Sequence, residues 1–265
     1  MKLLLKIMYD GTGYHGFQYQ PNAISVQEVL TERISSAFGM PCTVTGCSRT
    51  DAGVHALGFC AAVEPADEAL GREAWCTMPA GRIHRRLNTV FPDDIAVIGA
   101  CITDDSFHPR YSALGKEYIY RIRDTVYPDP FDRNRAYQIR RTLSDDMIDE
   151  MNRAASSLMG RHDFCGFMAS GSSVTDTVRN LKNLSVERVG EGEVILRAEA
   201  DGFLYNMVRI LTGTLLDVAY GKLSADDMEE ILSSQTRSRA GFTAPAHGLY
   251  LNRVDYGDEV VFLAD

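Results

Sequence analysis

The segment KLLLKIMYDGTGYHGFQYQPNAISVQE, residues 2–28, decides the fold. Its first eight residues are Leu/Ile-rich and weakly alternating, as a strand is. Gly11, Gly13 and Gly16 then spell GxGxxG, the spacing of a dinucleotide-binding loop. That loop works only where a helix opens on the glycines and aims its N-terminus at a pyrophosphate. Here Phe17-Gln-Tyr-Gln-Pro21 intervenes, and the helix signal comes only at Ser25-Val-Gln-Glu28, a capping box. No second strand ends in an acidic residue at the expected distance, since Glu28 and Glu32 lie within the helix. The glycines therefore make a loop, and a nicotinamide oxidoreductase becomes a minor alternative, testable by cofactor binding.

Outward from this segment, a helix runs to about Gly39, where glycine supplies the stop. A short strand around Val44 ends at Gly46, and Leu57 to Glu64 is a second strand. Residues 67–89 read as partly helical, interrupted by Pro79 and Gly81. Ile95 to Ile102 is a strand. The order then repeats. Glu117 to Arg123 is an alternating strand, and Ser144 to Met159 is an amphipathic helix ending at Gly160. Leu184–Val189 and Val194–Ala200 form a hairpin around Gly190-Glu-Gly192. Leu204 to Ala219 is an apolar helix, and Ser224-Ala-Asp-Asp227 caps a short one. Leu249–Tyr256 and Glu259–Leu263 are closing strands. Strand, helix, two strands, helix, strand in each half is the ferredoxin-like order. The expectation is an α+β fold of two such halves, 1–108 and 109–265. They would join into one extended, mostly antiparallel sheet with helices on one face and a central cleft. This arrangement hosts many activities and names none.

Composition narrows the class. The 265 residues hold 45% hydrophobic and 24% charged side chains, an ordinary globular balance. No apolar run approaches the roughly 20 residues that span a bilayer, and the opening stretch is too short for a signal-peptide core. A cytoplasmic protein is expected. The cysteines are Cys42, Cys47, Cys60, Cys76, Cys101 and Cys165, with no CxxC pair and no histidines gathered round them. Free thiols, no metal and no cofactor are expected. The net charge of −9 speaks against nucleic acid. Against that, the chain has 22 Arg and 5 Lys, so its cations are mostly of the kind that grips phosphate bidentately. They cluster as Arg82, Arg85 and Arg86, as Arg133, Arg135, Arg140 and Arg141, and as Arg237 and Arg239. Each cluster alone is equally a solvated surface.

The chemistry concentrates in Gly46-Cys-Ser-Arg-Thr-Asp-Ala-Gly-Val-His55. It places Asp51 in a loop between two strands, with Arg49 two residues before it and Gly53 permitting a tight backbone. Such a carboxylate is held ionised and open to substrate. Spacing alone equally allows an aspartate that braces a turn. His55 invites a His/Asp dyad, but no Ser or Cys nucleophile stands beside it, and a structural role is expected.

Six stretches in order resemble the tRNA pseudouridine synthase A family over nearly the whole chain. RTDAGVHA stands at Arg49 to Ala56. The opening YDGTxYxGxQxQ pattern stands at Tyr9 to Gln20, and a spaced Asn, Pro, Asp, Ile pattern at Asn88, Pro92, Asp94 and Ile95. FHPRYSALGKEYIYRI stands at Phe107 to Ile122, FLYNMVRILTG at Phe203 to Gly213, and APAHGLYL at Ala244 to Leu251. One departure is Ser48, where the family usually has Gly, so the backbone there has to avoid a glycine-only conformation.

The resemblance implies isomerisation of uridine to pseudouridine in the anticodon stem-loop of tRNA, at positions 38, 39 and 40, without a cofactor. It assigns the nucleophile to Asp51 and its guanidinium partner to Arg209, a pair that would lower the carboxyl pKa. It makes Tyr118 the residue that stacks on the uracil and assists deprotonation at C5, and Leu249 the apolar residue under the base. Arg49 becomes a candidate for phosphate contact or for holding the flipped nucleotide. Plainer roles stay open: Arg209 as the solvent end of an apolar helix, Tyr118 as a sheet tyrosine like Tyr120, Leu249 as core, Arg49 as a loop brace. A homodimer acting on one tRNA is implied, with Arg82, Arg85, Arg86 and the 133–141 group as candidate RNA contacts. Two rivals share this surface: a synthase for other tRNA or small-RNA uridines, and a non-catalytic tRNA-binding protein that does not need Asp51.

Overall fold

The computed structural model describes residues 1–67, 73–76, 78–172 and 174–262. β1 (Lys2–Tyr9) buries Leu3, Leu5 and Ile7 on one face and Leu4 on the other, leaving Lys2, Lys6 and Met8 partly exposed. Leu4, buried on the otherwise partly exposed face, is what weakens the alternation of the sequence pattern. α1 (Val26–Phe38) opens as expected. The Ser25 hydroxyl accepts the Glu28 N–H, and the Glu28 carboxylate takes the Ser25 N–H. It stops at Gly39, left-handed at φ 69°, and buries Val26, Leu30, Ile34 and Ala37.

β2 (Cys42–Gly46) and β3 (His55–Pro65) pair antiparallel. The helical stretch expected over 67–89 contains α2 (Glu73–Cys76) and α3 (Ala80–Asn88), while 68–72 and 77 lie outside the described residues. Pro79 does not break a helix. It stands at the start of α3, where no helical N–H bond is lost. The Asn88 side chain donates to Val97 O (2.9 Å) and accepts the Val97 N–H (2.8 Å), tying α3 to β4 (Ile95–Thr103). β1 lies between β4 and β3, antiparallel to both, and β2 flanks β3. This is the ferredoxin-like order expected of the first half.

In the second half, β5 (Gly115–Arg123) pairs antiparallel with β9 (Glu193–Ala200), which pairs with β8 (Val178–Gly190). Two elements were not legible, and the start of a third was missed. The two-residue β6 (Tyr137–Gln138) runs parallel to the end of β5. β7 (Gly160–Asp163) edges β8, so Gly160 starts a strand rather than only ending a helix. β8 itself begins at Val178, six residues before the expected 184, because its first half is polar. α4 (Asp145–Ser157) is capped by Ser144, whose hydroxyl accepts the Met147 N–H. α5 (Met207–Ala219) starts three residues later than expected, because Asn206 is left-handed at φ 59°. α6 (Asp227–Ser234) follows the Ser224–Asp227 turn.

β10 (Leu249–Asp255) closes the fold, and the strand expected over Glu259–Leu263 is absent among the described residues. Gly257–Glu259 forms a 3-10 turn, and Val260–Phe262 lays Phe262 over Gly99, with Lys6 Nζ 5.9 Å from the ring. Leu263 lies outside the described residues. Phe262 covers part of a sheet face, and Val261 is exposed.

The chain divides into two compact units, Met1–Leu114 with Leu251–Asp265, and Gly115–Tyr250. The closing segment goes with the first unit because β10 lies beside β3. A Cβ on Gly58 would come within 2.5 Å of Asn252 O, so only glycine admits this approach. The Tyr256 hydroxyl also donates to Pro109 O (2.7 Å), and the Leu114 N–H to Asp255 O (2.8 Å).

Candidate active site

In the first unit, the loop from β2 to β3 carries Asp51, half-buried, between buried Thr50 and exposed Ala52. The Val54 N–H donates to Asp51 O (3.1 Å), and Gly53 has φ 77°. A turn with a left-handed third residue needs glycine there, which accounts for Asp-Ala-Gly-Val. Ser48 is not among the non-glycine residues with positive φ, which are Arg140, Asn206 and Gln235. Its Cβ in place of the usual glycine therefore strains nothing.

The glycine-rich segment 11–16 is the seat of this loop, not a phosphate cradle. Gly11–Gly13 forms one 3-10 turn, and no α-helix opens before Val26. The Phe17 N–H donates to Thr50 O (3.0 Å), the Gly53 N–H to Tyr14 O (3.3 Å), and the hydroxyls of Tyr9 and Thr50 share a buried hydrogen bond of 2.8 Å. A Cβ on Gly11 would stand 2.0 Å from Val54 O; one on Gly16, which has φ 88°, would stand 2.6 Å from Thr50 O. Tyr14 donates to Asp94 Oδ1 (2.7 Å). Burial and that carboxylate push its phenol far above the ordinary value, so it remains a donor. His55 is buried with Nδ1 accepting the Gly11 N–H (3.0 Å) and Asp10 alongside, a brace for the same segment.

Two thiols lie near in sequence, and neither suits nucleophilic work. Cys47 and Cys60 are buried, with the Cys47 N–H on Cys60 O and the Cys60 N–H on Cys47 Sγ (3.3 Å). Burial, with Cys47 next, holds the Cys60 thiol well above the ordinary range. A thiol so held is not a thiolate at neutral pH. All six cysteines are free. Among the described residues, no cluster of His, Cys, Asp and Glu is placed to hold a metal ion.

Arg49 is exposed and has no hydrogen bond or ion pair among the described residues. Arg82, Arg85 and Arg86 are exposed on α3, but they are not equivalent. Arg86 Nε donates to Ala37 O (2.6 Å), and its guanidinium lies 5.8 Å from the Phe38 ring, so it fastens α3 to the end of α1.

In the second unit, every residue of α5 is buried except Arg209, which is half-buried. A helix apolar all round belongs in a core, and one arginine in its first turn is there for its guanidinium. Arg209 Nε donates to Ala244 O (2.7 Å) and its Nη1 to Asn206 Oδ1 (2.6 Å), while the Ala244 N–H returns to Arg209 O (3.0 Å). Arg237 holds the same 240–244 strap through Gly241 O (2.9 Å) and Thr243 Oγ1 (3.0 Å). Asn206 is thus a positioning residue that the sequence reading passed over inside FLYNMVRILTG. Its signal was asparagine at a helix start without a capping partner, since Asn tolerates the left-handed region.

Asn206→Ala is expected to cost about 1 kcal/mol more than Asn206→Gly: both lose the amide that bonds Arg209, but alanine keeps a Cβ in the left-handed region without the polar side chain that lets asparagine tolerate it, and glycine has no Cβ. Thermal melts of the two variants decide it, and equal loss in both would remove the backbone argument.

Tyr118 and Tyr120 share a face of β5 but differ in surroundings. Tyr120 is fully buried and donates to Pro245 O (2.7 Å). Burial raises its phenol pKa far more than the charge of Arg209 lowers it. Tyr118 is 6% exposed and meets Phe203 edge-on at 5.2 Å. Leu249, also 6% exposed, begins β10 just after Gly248, where a Cβ would strike the Tyr120 ring at 2.6 Å. Tyr120, Arg209 and the 244–248 segment are therefore brought together within this unit. Asp51, Arg49 and the α3 arginines belong to the other.

A family model described as tRNA pseudouridine synthase matches residues 154–257. The chain is 44% identical to the tRNA pseudouridine synthase A of Thermoanaerobacter sp. (strain X514) over 254 residues, 96% of this chain and 99% of that one. It is 40% identical to the protein of the same name from Bacillus subtilis (strain 168) over 260 residues, 97% and 99% of the two chains. A solved Cbf5-Nop10-Gar1 complex aligns over 94% of this chain and 49% of that one, at 12% identity and a TM-score of 0.37, too slight a likeness to bear on the site.

Proposed function

Because the chain belongs to the tRNA pseudouridine synthase A family, we propose that it isomerises uridines 38, 39 and 40 of the tRNA anticodon stem-loop, with Asp51 as the nucleophile. Action on tRNA uridine as an isomerase follows from the family. The positions, the residue roles and the assembly are our reading. The observation that carries it is the Asp51 turn: a half-buried carboxylate on a loop whose backbone is held on every side while its side chain is not sealed in.

The reaction breaks N1–C1′, turns the uracil and joins C5 to C1′. The proton lost from C5 is balanced by the one gained at N1, so no oxidant and no imported group is needed. Asp51 holds the intermediate while the base turns. Arg209 is the guanidinium that the family resemblance pairs with Asp51. Tyr118 stacks on the flipped uracil and assists at C5, Leu249 lies under the base, and Arg49 contacts phosphate. Arg82 and Arg85 are proposed RNA contacts, with Arg86 of that group also engaged in the α1–α3 join. The protein acts as a homodimer in the reducing cytoplasm, where its six free thiols persist.

The test is to incubate unmodified tRNA with the protein and map pseudouridine by position, alongside sedimentation of the protein alone. Product confined to 38–40 and a mass of two chains are expected. Product elsewhere would move the substrate assignment, and none at all would end it.

A further inference from the structure

Thirteen residues, 124–136, join β5 to β6, and they present an unusual combination. Val126, Tyr127 and Phe131 are 62%, 84% and 88% exposed. Such exposure commonly marks a loose loop, yet this one is fastened throughout. Arg123 Nε grips Asp132 Oδ2 (2.5 Å) and its Nη2 reaches Asp129 Oδ2 (3.5 Å), while Arg121 Nη2 lies 3.7 Å from Asp132 Oδ1. The Phe131 N–H donates to Asp129 Oδ1 (2.9 Å), the Thr125 hydroxyl to Tyr127 O (2.8 Å), and the Tyr250 hydroxyl to Arg135 O (2.6 Å). Two aromatic rings are thus held outward on a rigid mount. Large apolar groups so displayed mark an interaction site.

Charge selects the occupant. Over residues 121–141 there are six arginines and three acidic residues, in a chain whose net charge is −9. The acids are already engaged: Asp124 by Arg188 (3.0 Å), Asp129 and Asp132 by Arg123. Exposed Arg133 and Arg140 have no hydrogen bond or ion pair among the described residues. Exposed rings and unengaged guanidinium groups carried on one short segment are what unpaired nucleobases and their phosphates require. A second copy of the chain fits poorly, because a two-fold contact would set this arginine-rich patch against itself.

We propose that this loop is an RNA-docking surface, with Tyr127 and Phe131 stacking on unpaired bases of the substrate tRNA and Arg133 and Arg140 meeting adjacent phosphates. It rests on the tRNA reading above, and none of its four residues is among those given roles in the chemistry.

The test uses the full chain, an unmodified tRNA transcript, and two double variants, Tyr127→Ala/Phe131→Ala and Arg133→Ala/Arg140→Ala. The aromatic variant should bind tRNA about tenfold or more weakly, with an unchanged salt slope and an unchanged single-turnover rate at saturating tRNA. Tyr127→Trp/Phe131→Trp should restore affinity. The arginine variant should flatten the dependence of log affinity on log salt by about 1.5. Unaltered tRNA affinity in the aromatic variant would overturn the proposal, and loss of a dimer in sedimentation with affinity kept would assign the surface to a second copy instead. Wild type that fails to make pseudouridine would remove the tRNA reading itself, a separate outcome from an active enzyme indifferent to these four residues.

Discussion

Asp51→Asn is expected to abolish pseudouridine formation and to leave tRNA binding intact. The substitution keeps size and shape and removes only the negative charge and the nucleophilic oxygen. An amide does not form the covalent intermediate that holds the ribose or base while the uracil turns. Loss on the order of 10⁴-fold or more in single-turnover rate is expected, as for other nucleophiles removed from sites whose binding groups remain. Mapped product and a binding isotherm on the same transcript provide the measurement. Equal product from both proteins would take Asp51 out of the mechanism and revive the non-catalytic reading.

Gly16→Ala has the second largest expected effect, although Gly16 is 35 positions away in sequence from Asp51. At φ 88° a side chain is strained by about 1–2 kcal/mol. The added Cβ would also stand 2.6 Å from Thr50 O, 3.2 Å from the Asp51 carbonyl carbon and 3.3 Å from the Ala52 nitrogen. Those atoms are backbone and cannot swing aside, so overpacking adds about 1–3 kcal/mol. Relief comes only by displacing the Thr50–Asp51 peptide, and misplacing a reacting group by ångström amounts costs roughly 10²-fold in rate. Two neighbours serve as controls. Gly39→Ala meets open space at φ 69° and should show strain alone; Gly13→Ala meets no atom within 4 Å and should be near neutral. The three melting temperatures should fall in that order, and Gly16→Ala as stable and active as Gly13→Ala would refute the seat described for the loop.

Those glycines show what was legible in the sequence. GxGxxG could be rejected as a nucleotide loop because Ser25 and Glu28 mark the true helix start. That these glycines support the Asp51 turn needed coordinates, since close approach is a property of two distant segments. Gly39 and Ser144 could be read because capping is local chemistry. The late start of α5 could not, because Leu204 continues the apolar pattern while Asn206 breaks the backbone. The run at Val260–Phe262 misled for the opposite reason: an apolar run need not be a strand, and here Val261 is exposed while Phe262 lies over Gly99. The assignment of Asp51, Tyr118 and Arg209 came from resemblance. Spacing alone could not distinguish them from a turn brace, a core tyrosine and a helix-end arginine.

The return of Leu251–Asp255 to the edge of β3 has a consequence for biosynthesis. The unit that carries Asp51 lacks its last strand until the 136 residues from Gly115 to Tyr250 have been translated, roughly 7–27 s at ribosomal speed. Throughout that interval the Gly58 edge waits without its neighbour. A nascent chain therefore cannot complete this unit ahead of its tail, and truncation before Leu251 should yield aggregating product rather than a half-enzyme.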